Sequence, residues 1–197
     1  KSCWQKRGSL MLKKKIILIF FILISLINPS YASVKEKIIN NLIGTDNLIF
    51  DFKQTISKKT EKGNCIIKYP KKIYCVYKNR QKKIMVSNGK TLVVKNRSNN
   101  QNYVYPLKKT PLSMILDKKY IISQIEKLRI NNITDDTIDF LLIDKNLKIN
   151  IFFDKKTNNL KGWQTEDMYQ NKVSFIILNL KTNQKIDRKI FKLPKLN

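Results

Sequence analysis

The order of apolar and polar positions predicts a chain made mostly of strands. From Leu48 the period is two, with Phe50, Phe52, Gln54 and Ile56 on one side and Asp51, Lys53 and Thr55 on the other. The same pattern predicts strands at Asn64–Tyr69 and Ile73–Lys78, separated by Pro70-Lys71-Lys72, and at Lys82–Ser87 and Lys90–Lys95, joined at Asn88-Gly89, a strong short hairpin signal. Asn102–Tyr105 adds a further strand. After a helical interruption the pattern resumes at Thr137–Ile143, Leu147–Phe153, Leu160–Asp167 and Lys172–Leu180, with turns at Lys145-Asn146, Asn158-Asn159 and Gln170-Asn171. Leu147, Ile149, Ile151 and Phe153 alternate with Lys148 and Asn150, as an antiparallel strand with one wet face requires.

Helical spacing occurs in three places. Val34, Ile38, Ile39, Leu42 and Ile43 form a stripe over Ser33–Ile43, opened by a Ser cap and ended by Gly44. Thr110-Pro111 sets a capping side chain and a helix-compatible Pro before Leu112, Met114, Ile115 and Leu116, and a less regular segment follows over Tyr120–Leu128. About nine or ten sequential strands with few helices give one large antiparallel sheet, which must curl to hide its apolar face. The expected class is therefore mainly β, or α+β: a half-open antiparallel β-barrel with a short amino-terminal helix and helices over its mouth. Whether those helices fill the hollow or merely lid it is not decided by periodicity.

The amino end reads as an address. From Met11, three lysines precede an apolar run from Ile16 to Ile27 and then Asn28-Pro29-Ser30-Tyr31-Ala32, which predicts a signal peptide over residues 11–32 cleaved after Ala32. The run falls short of the roughly 20 apolar residues that span a bilayer. Residues 1–10 read as an upstream non-native or misannotated segment, and residues 33–197 as one domain. This places the domain in the periplasm, where a disulfide persists. Cys65 and Cys75 lie ten residues apart around the Pro70 corner with equal parity, so they either bond across the hairpin or remain a pair of small buried thiols.

Composition changes the picture in two ways. Lys and Arg number 40 against 14 Asp and Glu, a net charge of +26, of which residues 1–32 contribute only Lys1, Lys6, Arg7, Lys13, Lys14 and Lys15. The lysines are spread along the chain instead of forming one stripe, which reads as compositional bias more than as a nucleic-acid footprint. Such a surface favours transient contact with anionic membrane. Tyr103 and Tyr105 among basic residues could stack on single-stranded bases, but the signal peptide argues against nucleic acid. The chain has no His, which removes the commonest general base and metal ligand. Asp135-Asp136 and Glu166-Asp167 are adjacent pairs, and neighbouring strand residues point to opposite faces, so neither converges on a substrate. No catalytic group, cofactor or metal is expected.

A set of residues in order carries a family likeness: Phe52-Lys53-Gln54, Gly63 leading to the Tyr69-Pro70 corner, Ser87-Asn88-Gly89-Lys90-Thr91-Leu92, Thr110-Pro111-Leu112, Leu160-Lys161-Gly162-Trp163-Gln164, Asp167, Gln170, Asn179, Asn183, Ile186-Asp187 and Phe191-Lys192-Leu193-Pro194. Taken together they resemble the LolA family of outer-membrane lipoprotein carriers over nearly all of residues 33–194. The resemblance implies an unclosed barrel of eleven antiparallel strands whose apolar interior accepts acyl chains. It implies as partners acylated lipoproteins, an inner-membrane lipoprotein-releasing ABC transporter and an outer-membrane acceptor, served by a monomer.

On that resemblance Phe50, Phe52, Ile67, Tyr69, Ile73, Tyr77, Ile84, Val86, Val93, Ile149, Ile151, Phe153, Phe175 and Ile177 are candidates for the concave lipid-binding face, and Pro111, Leu112, Ile115 and Leu116 for the lid. From pattern alone the same residues are ordinary core. The family often has Arg before the corner Pro, where it bonds to the lid; here Tyr69 stands there, and its hydroxyl offers a weaker latch. A periplasmic glycolipid-binding or sensor module on the same sheet is the alternative reading; a Ser/Lys hydrolase has no motif in its favour.

Overall fold

The computed structural model describes residues 30–78, 82–99, 101–144, 147–166 and 170–195, with side chains from Val34 onward. The chain divides into two compact units, residues 1–36 and 37–197, and the whole sheet belongs to the second. The signal peptide assigned to 11–32 and the segment 1–10 lie outside the described residues, apart from 30–32, which form the first turn of α1 (Ser30–Gly44). That helix starts three residues before the expected Ser33 cap, since nothing in Tyr31 and Ala32 opposes helix. Within the second unit it buries Ile38 and Leu42, one turn apart.

Eleven strands, β1 (Asn47–Ile56), β2 (Lys59–Lys68), β3 (Lys72–Tyr77), β4 (Ile84–Asn88), β5 (Thr91–Asn96), β6 (Gln101–Pro106), β7 (Asn132–Ile133), β8 (Thr137–Asp144), β9 (Leu147–Asp154), β10 (Leu160–Glu166) and β11 (Lys172–Thr182), form one sheet. Its order is β6-β5-β4-β3-β2-β1-β11-β10-β9-β8-β7, with every neighbouring pair antiparallel. The sheet stays open, with β6 and β7 as edges. A 3₁₀ turn η1 (Leu107–Lys109) leads into the short α2 (Leu112–Ile115) and then α3 (Lys118–Lys127), and a second, η2 (Arg188–Phe191), follows β11.

Register sorts the side chains into two faces. The pairs Phe50–Cys65, Cys65–Cys75 and Cys75–Met85 put one row on the inner face, and Phe52–Gly63 and Gly63–Tyr77 put a second row beside it. The fully buried Ile115, Leu116, Ile121 and Ile125 of the covering helices and Ile67, Ile73, Phe140 and Phe153 of the sheet close one apolar interior. At roughly 25 cal/mol per Å² of apolar surface removed from water, this burial is the main stabilising contribution. The outer face of β3 and β4 meets η2, whose buried Phe191 shares a cleft with Asn47 and Lys68, both of the outer phase.

Candidate functional site

A row of aromatic rings crosses the inner face. Trp163 stacks on Phe175 at 4.2 Å and 7°, Phe175 stacks on Phe52 at 4.8 Å and 18°, and Phe52 meets Tyr77 edge to face at 4.9 Å. Two glycines make the row possible. Gly63 of β2 lies in register between Phe52 and Tyr77, and a Cβ there would fall 2.2 Å from the Val76 carbonyl and 2.6 Å from the Phe52 ring. Gly162, at φ +155°, sits at a register irregularity of β10, where a Cβ would fall 2.2 Å from the Phe175 carbonyl. Trp163 pairs with Phe175 in the ladder directly beyond it.

The row ends in an opening of about 170 Å³ between sheet and cover, walled by Trp163, Phe175, Tyr77, Met85 and Gln54 and capped by Pro111 and Leu112. At its rim the Tyr77 hydroxyl donates to Gln54 Oε1 at 2.8 Å, Lys83 Nζ stands 3.8 Å from the centre of the Tyr77 ring, and the same ammonium pairs with Glu61 at 2.5 Å. Burial, with the Glu61 carboxylate adding to it, pushes the Tyr77 phenol far above its ordinary pKa, so it stays a neutral donor. The opening is smaller than the roughly 300–1,000 Å³ of sites that enclose a drug-sized molecule. A ligand of that size enters only if the cover moves.

What holds the cover is not the residue the sequence suggested. Tyr69 is buried, its phenol is raised in pKa by desolvation, and its hydroxyl has no hydrogen-bond partner among the described residues, so it is no latch. The chain turns through a cis Tyr69-Pro70 bond to Lys71, and Lys71 makes the connection instead. Its amide donates to the Leu116 carbonyl at 2.7 Å, and its ammonium pairs with Asp117 at 3.2 Å. The Lys71 carbonyl in turn accepts from Ser87 Oγ at 3.1 Å. Asp117 also caps α3 by accepting from the Tyr120 amide at 3.2 Å. Both charged groups are partly exposed, so the pair is worth only about 0–1 kcal/mol. This polar tie is weak, and the cover is held mainly by the buried Ile115, Leu116, Ile121 and Ile125. Lys118 adds ties to α1 and the residue after it, donating to the Ile43 and Thr45 carbonyls at 3.0 and 2.7 Å.

Register divides the sequence candidates. Phe50, Phe52, Ile67, Ile73, Tyr77, Ile149, Ile151, Phe153, Phe175 and Ile177 share the inner phase of the ladder, with Tyr69 just beyond the end of β2 in the same phase. Ile84, Val86 and Val93 do not: Val86 pairs with Tyr74 and Val93, and Ile84 with Val76, all on the outer face. The inner residues there are Met85, Ser87, Leu92 and Val94. The cause is that Ile84–Ser87 is buried on both faces, so both parities are apolar or small and alternation carries no sign. In the cover Ile115 and Leu116 are fully buried, whereas Pro111 and Leu112 are half-buried at the opening. Thr110 does not cap α2, as expected of it; its hydroxyl donates to the Leu107 carbonyl at 2.8 Å and closes η1.

Cys65 and Cys75, directly opposed in register with Cα atoms 4.1 Å apart, are joined as a disulfide on the inner face. Asp135 and Asp136 are exposed in the turn before β8, Glu166 is exposed at the end of β10, and Asp167 lies outside the described residues. Gln54, Met85, Trp163, Thr165 and Val173 of the opening escaped the sequence reading, although the parity of Gln54 with Phe52 was a usable signal.

An open antiparallel sheet that keeps one apolar side beneath short helices, with an aromatic-walled opening, defines a carrier or binding fold. The family model for outer membrane lipoprotein carrier protein LolA matches residues 44–194, and the chain belongs to that family. It is similar to the crystal structure of a LolA superfamily protein, NE2245, from Nitrosomonas europaea, at 11% identity over 83% of this chain and 97% of that chain, with a TM-score of 0.46. An uncharacterized conserved protein from Thermus thermophilus is similar at 7% identity over 84% and 95% of the two chains, with a TM-score of 0.48. The crystal structure of MucB matches at 8% identity over 86% of this chain and 64% of that chain, with a TM-score of 0.49, so the chain spans less than two thirds of its length. No protein of curated function matches the sequence.

Proposed function

We propose that this protein is a periplasmic, non-enzymatic carrier that takes the acyl chains of lipoproteins into the apolar interior and moves them from the inner to the outer membrane. In this reading it works as a monomer, accepts cargo from an inner-membrane lipoprotein-releasing ABC transporter and yields it to an outer-membrane acceptor. The carrying observation is the aromatic row that ends in an opening beneath a cover tied through Lys71. Each methylene withdrawn from water is worth about 0.8 kcal/mol, so an acyl chain needs such a shelter to cross an aqueous space. Cargo held by apolar contact alone can pass to an acceptor of higher affinity without a chemical step at the carrier.

The test is extraction. Incubated with inner-membrane vesicles that hold the transporter and an acylated lipoprotein, the protein is expected to form a soluble one-to-one complex with the lipoprotein. Failure to form that complex at any concentration rejects the carrier reading. Mass spectrometry of lipid that co-purifies separates diacyl or triacyl peptides from glycolipid, the mark of the alternative binding module.

A further inference from the structure

A second pocket, of about 340 Å³, lies at the end of the sheet where the β2–β3 turn, the β4–β5 turn and the end of β6 meet the start of the cover. Lys71, Lys90 and Lys108 line it together with Gly89, Leu107 and Ser113, and no carboxylate is among its lining residues. Gly89, at φ +104°, brings the β4–β5 turn against Lys71: a Cβ on it would stand 3.8 Å from the Lys71 Cβ. The turn is held in shape by Asn88 Oδ1, which accepts from the amides of Lys90 and Thr91 at 3.0 Å each. Lys90 and Lys108 are exposed and make no ion pair among the described residues, whereas Lys71 is shared between the pocket and Asp117.

A pocket lined by three lysines and no carboxylate suits a phosphate, which lysine binds as a point charge. We propose that this pocket binds a phosphate group and that the bound phosphate draws Lys71 away from Asp117, loosening the cover of the interior. The inference rests on the carrier reading only in giving the loosened cover a use. A phosphate held by Lys90 and Lys108 competes for Lys71 with a single, partly exposed carboxylate, and Asp117 keeps its second partner, the Tyr120 amide, when the lysine leaves. The remaining tie at that corner is the Lys71 amide to the Leu116 carbonyl. A membrane surface presents phosphate as lipid headgroup, so the device would open the cover where cargo enters or leaves.

The readout is hydrogen–deuterium exchange of the peptide spanning residues 69–72 in the full chain, with no acylated cargo present. Sodium phosphate and phosphatidylglycerol vesicles are compared with sodium chloride at equal ionic strength. Exchange at the Lys71 amide is expected to speed up about two- to fivefold with a phosphate source. Acceleration by inorganic phosphate alone marks a soluble anion as sufficient, and acceleration by vesicles alone marks the headgroup. Lys90→Gln with Lys108→Gln is expected to abolish the response, while Lys58→Gln with Lys156→Gln, which removes the same charge from exposed turns elsewhere, keeps it. Equal exchange in chloride and phosphate, or equal loss of response in both double variants, overturns the proposal. Since the assay contains no cargo, that failure leaves the extraction result untouched.

Discussion

Phe52 and Tyr77 sit on strands that are not neighbours, yet their rings meet at 4.9 Å because the strand between them carries Gly63 at the shared register position. The glycine leaves a gap in the inner face, and the two rings fill it. Gly63→Ala is expected to lower stability by about 2–3 kcal/mol, the cost of overpacking, because the methyl group meets both the Val76 carbonyl and the Phe52 ring. Urea unfolding measures it; a change under roughly 0.5 kcal/mol, the size of an ordinary surface substitution, would mean that the gap is not needed.

The tie through Lys71 is expected to control opening and to have little effect on folding. Lys71→Gln removes the ion pair with Asp117 but keeps the amide bond to Leu116, so the unfolding free energy should move by no more than about 1 kcal/mol. Uptake of an apolar fluorescent probe should be faster by several-fold in stopped-flow mixing. Unchanged uptake would place the gate elsewhere.

The disulfide between Cys65 and Cys75 closes a short loop on the inner face. For a loop of this size the chain-entropy model gives roughly 2.5–3 kcal/mol, so Cys65→Ser with Cys75→Ser should lower the denaturation midpoint accordingly, and a reducing agent should do the same to the parent. A parent that is insensitive to reduction, checked by thiol titration to be fully reduced, would contradict this.

Much of this architecture is legible in the sequence, and the parts that are not have definite physical causes. β1 alternates because one face of it is wetter, β9 alternates from Lys148 to Ile151 before Phe152 is buried on its other face, and Asn88-Gly89 marks its hairpin because the turn needs a residue at positive φ. The first half of β2, from Lys59 to Gly63, is polar or glycine and pairs only because β1 offers it a partner; β7 is two residues long and exposed. Ile84, Val86 and Val93 read as inner residues because β4 is buried on both sides, one of them against η2, which no local pattern announces. Lys71 is one of 40 basic residues, and only the fold distinguishes it by bringing Leu116 and Asp117 to it. Trp163 takes its place through the register irregularity at Gly162, which spacing alone does not reveal.

Asp154 gives the fold a pH dependence of known sign. The Thr157 amide, first, and then the Lys161 ammonium hold its carboxyl below the ordinary 3.8, because they bond to the ionised form. A lowered folded-state value means that the contribution is fully present above pH 3.8 and is lost as the pH falls through the lower folded-state value. Asp154→Ala should cost about 1–3 kcal/mol at neutral pH through the lost turn bonds and flatten the stability profile below pH 3.8. Unfolding midpoints measured across that range decide it; a parent whose stability is level there would contradict the assignment.

The most direct measurement uses Trp163 itself. Trp163 is the one tryptophan of residues 33–197, so in the protein that begins at Ser33 the residue in the aromatic row is the sole emitter. Titrated with a lipopeptide whose acyl chains carry bromine, the protein should lose at least half of its tryptophan emission as a soluble one-to-one complex forms. Emission that stays constant while the lipopeptide binds, or a lipopeptide that never leaves its vesicles, would contradict an interior that carries acyl chains.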